Sequence, residues 1–404
     1  MSVQVLQSPL AQVEPVPASR DTNPLSVLSE DERLHFGAVH EVAMAEVAPL
    51  TRRMEEEGRI PPELVKTLAQ YGFFGVVVPE QFGGSGQRFF DVVLTVEALA
   101  RADAAVALLV DVHNTLMTGA INRFGRRSQR FRLLPQLAAE RIGAFSLSEA
   151  HAGSDAFALR TTATPVEGGF LLNGSKAWVS GGREAGLYLL FARLAAPGGG
   201  NPPDGITAFL VDRASAGLTV GPPEAKVGLK ASSTTPLFLK DCFVAADDVL
   251  GEVGKGRRLA MALLNEGRIG IAAQLVGIGQ AALDLAVAYA KAREAFGRRI
   301  GKNQSVAFAL ADAAMQVETA RLLTWNAARL ADQGNETRYA AAMAKLTAQR
   351  MAESVTSLGI EIHGGAGYTT DCLAEKLWRD AKAGTIYEGT ENMQLTTIAH
   401  GLDL

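Results

Sequence analysis

The chain has 404 residues, of which 48% are hydrophobic and 20% are charged. This composition is typical of a globular protein and excludes a largely disordered one, and the length predicts two or three domains. A formal net charge of −4 gives no electrostatic reason to expect nucleic acid as a partner, and two cysteines are too few for a disulfide framework or a metal cluster.

The N-terminal segment differs in composition from the rest of the chain. Residues 1–24 contain prolines and polar residues without a helical or strand period, and they lack the basic start and continuous apolar run of a signal peptide. We therefore expect a disordered tail, no targeting segment and a cytoplasmic protein. No uncharged apolar run is long enough to span a bilayer, so no membrane association is expected.

Residues 25–142 have a helical period, which predicts an N-terminal all-α domain. Ser29 stands three residues before Glu32, the pattern of a capping box at the start of a helix, and the helical pattern that follows ends near Gly58. The run 91–125 is also predicted to be helical.

Between residues 143 and 253 the period changes to two, which predicts a small β domain, antiparallel and barrel- or sandwich-like. Segment 168–182 contains Asn173-Gly174, a strong turn signal, and is interpreted as a hairpin. Residues 196–204 (APGGGNPPD) predict a surface turn.

From residue 254 to 404 the helical period returns in long segments, at about 257–296, 303–333 and 337–362, with a shorter one near 371–383. Long amphipathic helices with short connections predict a four-helix bundle. The predicted fold class is therefore α+β and multidomain: a helical domain, a small β domain and a C-terminal bundle, in that order.

Several common functional motifs are absent from the sequence. The glycine-rich stretches GGSG (83–86) and GGAG (364–367) lack the spacing and the strand–helix context of a dinucleotide fingerprint. There is no G-x-S-x-G, no histidine in a triad motif and no metal-ligand spacing, so neither a serine hydrolase nor a metal site is predicted. More specific is FSLSEAHAGSD (145–155), where a turn of small residues follows a predicted strand and lets a polar ligand approach the backbone.

Six motifs, taken in order, resemble those of the acyl-CoA dehydrogenase family. They are SLSEAHAGSD, NGSKAWVSGG, GLKASST, REAFGRRIGKNQ, EIHGGAGYTTD and RDAKAGTIYEGT. The resemblance covers about residues 25–400, and LNEGRIGIAAQLVGIGQ and ARLLTWNAARL are most similar to the short/branched-chain members. It implies an FAD-dependent enzyme of fatty-acid or branched-chain amino-acid metabolism, which introduces the α,β double bond into an acyl-CoA thioester. An electron-transferring flavoprotein would accept the electrons, and the chains would form a homotetramer, a dimer of dimers.

The resemblance also implies site residues, position by position. The implied cofactor residues are Phe145, Leu147, Ser148, Gly153, Ser154, Trp178, Val179, Ser180, Arg293, Phe296, Gln304, Glu361, Ile362, His363, Gly364, Gly365, Thr390, Glu391 and Asn392. The implied substrate residues are Ser154, Asn265, Glu266, Gly267, Arg268 and Gly389. Of these, Arg293, Gln304 and the Gly364-Gly365 turn are expected to reach the FAD of a neighbouring subunit.

Glu388, in TIYEGT, matches the family's catalytic base. The α-hydrogen of a thioester is only weakly acidic, so a carboxylate whose pKa is raised in an apolar pocket accepts it better than a solvated one. In the family the backbone N–H of the base residue also helps to bind the thioester carbonyl. Some relatives carry their base at the position matching Gly267, but glycine cannot serve. Glu388 is therefore the single candidate.

Two departures from the family pattern leave the carrier end of the substrate open. Arg257 stands where relatives commonly have an aromatic residue, and segment 196–204 lengthens a loop that can border CoA. The alternatives are the same chemistry on an acyl group tethered to an acyl or peptidyl carrier protein, an acyl-CoA oxidase that uses oxygen, and a non-catalytic scaffold that has kept the fold.

Overall fold

The computed structural model describes residues 27–195 and 205–402. The predicted tail (1–24) and the predicted surface turn (196–204) lie outside the described residues. The described N-terminal part contains the α-helices α1 Glu30–Val42, α2 Thr51–Glu57, α3 Pro62–Gln70, α4 Phe89–Ala100, α5 Ala104–Asp111, α6 Gly119–Phe124 and α7 Arg127–Ala139.

The predicted capping box at the start of α1 is confirmed. The Glu32 amide donates to the Ser29 hydroxyl at 3.2 Å, and the Ser29 amide donates to the Glu32 carboxylate at 2.8 Å. The helical path continues through the π-helical segment Ala43–Val47 and a 3₁₀ turn into α2, which ends at Gly58 with a left-handed φ of 61°. Glycine adopts this conformation without steric cost, and so it terminates the helix.

The helical prediction for residues 91–125 is confirmed, with a break at residues 101–103. The helix α4 ends at Ala100, and Asp103 begins α5 as its N-cap, with its carboxylate accepting from the amides of Ala105 and Val106 at 2.9 and 3.2 Å. An aspartate that satisfies the first amides of a helix starts a new one. The α5 helix then passes through a π-helical segment, Val112–Thr118, into α6.

The middle part is one eight-stranded sheet. Its strands are β1 Gly143–Ser146, β2 Thr162–Val166, β3 Gly169–Ser180, β4 Leu187–Leu194, β5 Ile206–Asp212, β6 Leu218–Val220, β7 Thr234–Ala245 and β8 Val249–Leu250. The order is β6-β7-β3-β2-β4-β5-β8, with β1 beside β4. The β1–β4 and β2–β4 pairs are parallel, so the sheet is mixed and not purely antiparallel as predicted. A separate apolar core of this domain includes Phe170, Tyr188 and Phe209.

The predicted hairpin at Asn173-Gly174 is also wrong. The chain passes straight through these residues as part of β3, which pairs with β7 and has a bulge between Leu172 and Gly174. The side chain of Asn173 explains the difference, because its amide donates to the Asp241 carboxylate at 3.0 Å and its oxygen accepts from the Asp241 amide at 2.9 Å. The turn lies earlier, at Gly168, between β2 and β3.

The predicted C-terminal helical bundle is confirmed. Its helices are α8 Gly256–Ala292, α9 Gln304–Asp332, α10 Arg338–His363, α11 Leu373–Lys382 and α12 Glu391–Ala399. The first predicted helix ends at Ala292, and a two-stranded hairpin, β9 Glu294–Ala295 and β10 Arg298–Arg299, turns at Phe296 and Gly297, both with positive φ. The long α8 packs against α9, α10 and α11 within the bundle and against α4 and α5 of the N-terminal part.

By length and composition alone, two helical stretches of the described residues could cross a membrane, Ala104–Phe124 and Gly256–Ala292. Their apolar windows are 94% and 67% buried inside the protein. Their apolar character is accounted for by this packing, since α5 and α8 contribute to the main hydrophobic core.

Candidate active site

Glu388 lies in a short turn, residues 386–390, which joins the end of the α11 region to α12; we call it the Glu388 turn. Glu388 and Gly389 both have left-handed backbone conformations, with φ of 49° and 90°. A residue with a side chain rarely adopts this conformation unless its surroundings enforce it. Gln394 on α12 helps to do so, because its amide nitrogen donates to the carbonyl oxygens of Glu388 and Gly389 at 3.0 Å each.

The carboxyl group of Glu388 is enclosed and has an unpartnered oxygen. Its Oε2 atom is buried without a hydrogen-bond partner, which is uncommon for a buried polar atom. Burial raises the pKa of Glu388 to about 7, although the positive charges of Arg268 and Lys345 oppose this shift. A carboxyl group with such a pKa can take up or release a proton near neutral pH, as a general base must.

The backbone of α8 borders this carboxyl group at Gly267. A Cβ atom on Gly267 would lie 2.8 Å from Oε2 of Glu388 and 3.2 Å from Cδ2 of Leu116. Glycine is therefore the residue type that leaves room for Glu388 here. The structure thus brings one residue of the predicted substrate set directly against the candidate base.

Asp111 is a second buried carboxyl group in this region, and the sequence analysis did not find it. It lies against Gly270, one turn along α8 from Gly267, where any Cβ atom would overlap the carboxylate. The Thr115 hydroxyl donates to Oδ1 of Asp111 at 3.2 Å. Burial first, and then the charge of Glu388, raise the pKa of Asp111 well above its ordinary range. Burial and the neighbouring carboxyl group thus both favour the protonated form of Asp111.

Tyr387 ties the Glu388 turn to two helices. Its hydroxyl donates to Oε1 of Gln274 on α8, and the Gln274 amide nitrogen donates to the carbonyl of Ala104, at the start of α5, at 2.6 Å. Gln274 is buried, so both hydrogen bonds are shielded from water. The residue that precedes the candidate base is thereby anchored to the N-terminal and the C-terminal helices at once.

The other predicted substrate residues of α8 have different surroundings. Arg268 is buried, and it donates to Oδ1 of Asn265 at 3.1 Å. Glu266 forms an ion pair with Arg123 of α6 at 2.6 Å. The structure therefore places the charge of Arg268 near Glu388, whereas the carboxylate of Glu266 is occupied by Arg123.

A buried ion pair fixes the loop that follows β1. The Lys176 ammonium of β3 donates to the carbonyl of Leu147 at 3.0 Å and to the Glu149 carboxylate at 2.8 Å. The same carboxylate accepts from the amides of Arg160 and Thr161, at 2.8 and 3.1 Å. Both ends of the loop are thus held against β3.

This loop exposes Gly153 and Ser154, which were predicted to contact ligands. A Cβ atom on Gly153 would meet nothing within 4 Å, so a ligand has room at this point. Ser148 is partly buried, and its carbonyl accepts from the Ala177 amide at 2.9 Å. Phe145 packs against Phe191 with ring centroids 5.3 Å apart.

Trp178 is presented to the surface close to this loop. It lies where the β3–β7 register shifts, has a φ of 62° and is 60% exposed, while Val179 beside it is buried and Ser180 partly buried. An exposed indole held by a strand irregularity offers a planar surface for stacking. Trp178 and Ser148 lie at neighbouring positions, since the amide of Ala177, next to Trp178, donates to the Ser148 carbonyl.

The remaining predicted cofactor residues fall into two groups. Thr390, Glu391 and Asn392 follow Glu388 directly and begin α12, where Glu391 pairs with Arg350 at 2.5 Å. The second group lies far along the bundle and comprises Arg293, Phe296, Gln304, Glu361, Ile362, His363, Gly364 and Gly365. Arg293 follows Gly267 by 26 residues along α8, which separates them by about 39 Å. The second group therefore does not lie beside Glu388 of the same chain.

Within residues 27–195 and 205–402, no group of three or more His, Cys, Asp or Glu side chains is arranged to hold a metal ion.

The fold and the Glu388 turn together define an oxidoreductase of the acyl-CoA dehydrogenase family, to which this chain belongs. The N-terminal, middle and C-terminal domain models of that family match residues 29–141, 144–242 and 254–402. Its members are flavoproteins that act on CH–CH donors.

Individual members of the family are similar to this chain over most of its length. The mitochondrial short/branched chain specific acyl-CoA dehydrogenase of Bos taurus is 43% identical, over 93% of this chain and 86% of its own length. The structure of butyryl-CoA dehydrogenase from Megasphaera elsdenii superposes with a TM-score of 0.90 at 36% identity, covering 94% of this chain and 100% of the other. The prolyl acyl carrier protein oxidase AnaB is also similar, with a TM-score of 0.88 at 26% identity, covering 94% of this chain and 100% of its own.

Proposed function

We propose that this protein removes the α- and β-hydrogens of a short or 2-methyl-branched acyl-CoA thioester, with Glu388 as the base that takes the α-proton. The observation that carries this proposal is the buried, unpartnered Oε2 of Glu388 with a pKa of about 7. The two similar enzymes described above, named for short/branched-chain and butyryl substrates, support the substrate class.

The backbone of the Glu388 turn supplies a second interaction with the substrate. Among the described residues, the amide N–H of Glu388 donates to no acceptor, so it is free to bind the thioester carbonyl. A donor aimed at this oxygen stabilises the negative charge that develops there as the α-proton leaves. Gly389 lets Gln394 approach this turn closely, because a Cβ atom on Gly389 would lie 2.8 Å from Nε2 of Gln394.

The residues around Trp178 fit FAD. Its exposed indole, the open space at Gly153 and the hydroxyls of Ser148, Ser154 and Ser180 offer a planar surface and polar partners for the isoalloxazine ring. When bound, FAD supplies the acceptor for the hydride that leaves the β-carbon. We propose that an electron-transferring flavoprotein then takes the electrons.

The second group of cofactor residues supports a shared cofactor site. Arg293, Gln304 and the Gly364-Gly365 turn are exposed and far from Glu388, and Phe296 between them is 99% exposed. Phe308 and Tyr368, which follow Gln304 and Gly365 closely along the chain, are also exposed, and a group of exposed aromatic residues is typical of a contact surface. We propose that these residues contact the FAD of a neighbouring subunit in a homotetramer.

The experiment that tests the base replaces its carboxylate with an amide. Glu388→Gln should keep the fold and the FAD, yet its flavin should stay yellow when it is mixed anaerobically with butyryl-CoA or 2-methylbutyryl-CoA. The matched control is Glu353→Gln on α10, because Glu353 is paired with Lys382 and lies outside every predicted site. Bleaching of Glu388→Gln at the wild-type rate would remove Glu388 from the mechanism.

The substrate class has its own test. Because each methylene that a pocket cannot admit costs about 1–3 kcal/mol in discrimination, kcat/KM should be highest for butyryl-, isobutyryl- or 2-methylbutyryl-CoA and low for palmitoyl-CoA. A maximum at palmitoyl-CoA would contradict the short/branched assignment without touching the role of Glu388.

One observation favours a second candidate substrate, in which the acyl group is attached to a carrier protein and not to CoA. The guanidinium of Arg257, at the start of α8, lies over the Phe157 ring at 5.0 Å, just beyond the exposed Ser154 loop. A cation held there can pair with a phosphate of CoA or of a phosphopantetheine arm. Comparing turnover of one acyl group on CoA and on a carrier protein separates the two.

A further inference from the structure

Lys345 is a buried cation next to the Glu388 turn. It lies within α10 and is 0% exposed. In the described part of the chain its ammonium donates to Oε1 of Gln349 at 2.9 Å and to the carbonyl oxygen of Gly389 at 2.6 Å, and it forms no ion pair with a carboxylate. Burying a charge without such a pair is costly, so this position demands an explanation.

The hydrogen bond to Gly389 acts on the backbone of the candidate base. Gly389 is the second of the two left-handed residues of the turn, and its carbonyl oxygen also accepts from Gln394 at 3.0 Å. Two donors from two different helices, α10 and α12, therefore meet on one carbonyl oxygen. They hold the peptide that follows Gly389, and Gln394 also holds the peptide that follows Glu388 through the Glu388 carbonyl. The backbone on which the Glu388 side chain is mounted is thereby fixed.

The charge of Lys345 also acts on the Glu388 carboxyl. The charged and titratable groups around the pair are Arg268 on α8, Asp111 on α5, Tyr387 in the turn and Glu391 on α12. Burial lowers the pKa of Lys345 to about 8, against the negative charges of Glu388 and Glu391. The pKa of Lys345 thus lies above that of Glu388, so the carboxyl group begins to ionise while the ammonium still carries its proton.

We propose that Lys345 is a positioning residue for the base: its ammonium fixes the Glu388 turn through Gly389, and its charge favours the ionised carboxylate that accepts the α-proton. This inference rests on the proposed role of Glu388. The positioning effect and the charge effect of Lys345 can be measured separately, because Gln394 donates to the same carbonyl oxygen without carrying a charge.

The test compares Lys345→Met with Gln394→Met. In the wild type, kcat/KM for reduction of the flavin by butyryl-CoA should rise with pH through about 7, as Glu388 ionises. Removing a neighbouring positive charge destabilises the carboxylate, so in Lys345→Met this rise should move up by about one pH unit or more. Gln394→Met should lower the rate at every pH and leave the rise in place, and Lys345→Arg should restore the wild-type position.

A second readout follows the base without the flavin reaction. Exchange of the α-proton of the bound thioester with deuterium oxide, measured by NMR, should show the same shift in pH dependence. Thermal melting and the flavin spectrum report whether each variant folds and holds FAD. If Lys345→Met does not fold, Lys345→Gln, which keeps an amide donor and loses the charge, takes its place.

The outcomes distinguish this inference from the proposed function. An unshifted pH profile in the folded neutral variants of Lys345, with Glu388→Gln inactive in exchange, overturns the role of Lys345 alone. Wild-type exchange in Glu388→Gln overturns the proposed base itself.

Discussion

Replacing Gly267 with alanine should disturb the base more than the fold. The added Cβ atom would lie 2.8 Å from Oε2 of Glu388, whereas ordinary van der Waals contact begins at 3.4 Å. The carboxyl group must therefore move by about 0.6 Å. Because its end is the flexible part of a side chain, the movement is cheap for the fold, and Leu116, at 3.2 Å, has to give only slightly.

The catalytic cost of this small displacement is much larger. A misplacement of about 1 Å in a reacting group can lower a rate by about 100-fold, so 0.6 Å should lower it by roughly 10-fold or more. The same substitution should raise the free energy of unfolding, since alanine within a helix is favoured over glycine by about 1 kcal/mol. We therefore expect slower chemistry in a protein that unfolds at nearly the wild-type temperature.

The assay is anaerobic stopped-flow reduction of the flavin by butyryl-CoA, together with thermal unfolding followed by circular dichroism. Gly359→Ala on α10 is the matched control, because its Cβ atom would meet only ordinary contacts at 3.8 Å and it should gain stability without losing rate. Reduction of Gly267→Ala at the wild-type rate would refute the confinement of Glu388 against α8.

Two further predictions concern stability and cofactor. Because burial raises the pKa of Asp111 in the folded state, its native proton contributes stability below the unfolded pKa of about 4, and this contribution is lost as pH rises. Asp111→Asn should therefore gain stability relative to wild type as pH rises above about 4 in urea unfolding, and a stability difference that does not change with pH would contradict the buried neutral acid. Arg293→Ala should lose FAD during gel filtration, while the control Lys66→Ala, which removes an exposed cation on α3, should retain it. Sedimentation of apo and holo protein should show that FAD favours the larger assembly. A monomer that holds FAD at full occupancy would contradict the shared site.

Local signals were enough to predict the helices, and the resemblance to the family implied the candidate base. The capping box at Ser29 and the long amphipathic segments of the bundle depend on neighbours within a few residues, and those predictions are confirmed. The hairpin at Asn173-Gly174 was wrong because its outcome depends on Asp241, a partner on another strand 68 residues away. The turn preference of Asn-Gly was thus outweighed by a contact between residues that are far apart in the sequence.

Two residues near Glu388, Asp111 and Lys345, were not predicted for the same reason, although each is recognisable in the sequence. Asp111 is the single acid in ALLVDVHN, and Lys345 is the single charge in AAAMAKLTA, each within a helix that is otherwise apolar there. An isolated charge on a buried helix face marks either a paired structural group or a functional one, and the sequence cannot tell which.

The structure shows what each of these two side chains faces. Both lie on separate helices and face one turn, which Gln394 supports from a third helix and Tyr387 ties to a fourth, α8, through Gln274. A single strained residue cannot hold its own orientation, because a left-handed glutamate is disfavoured by its local backbone. Its direction must therefore be imposed by long-range contacts. This is why a six-residue motif points to the candidate base, while the residues that surround it and hold its backbone emerge only from the folded chain.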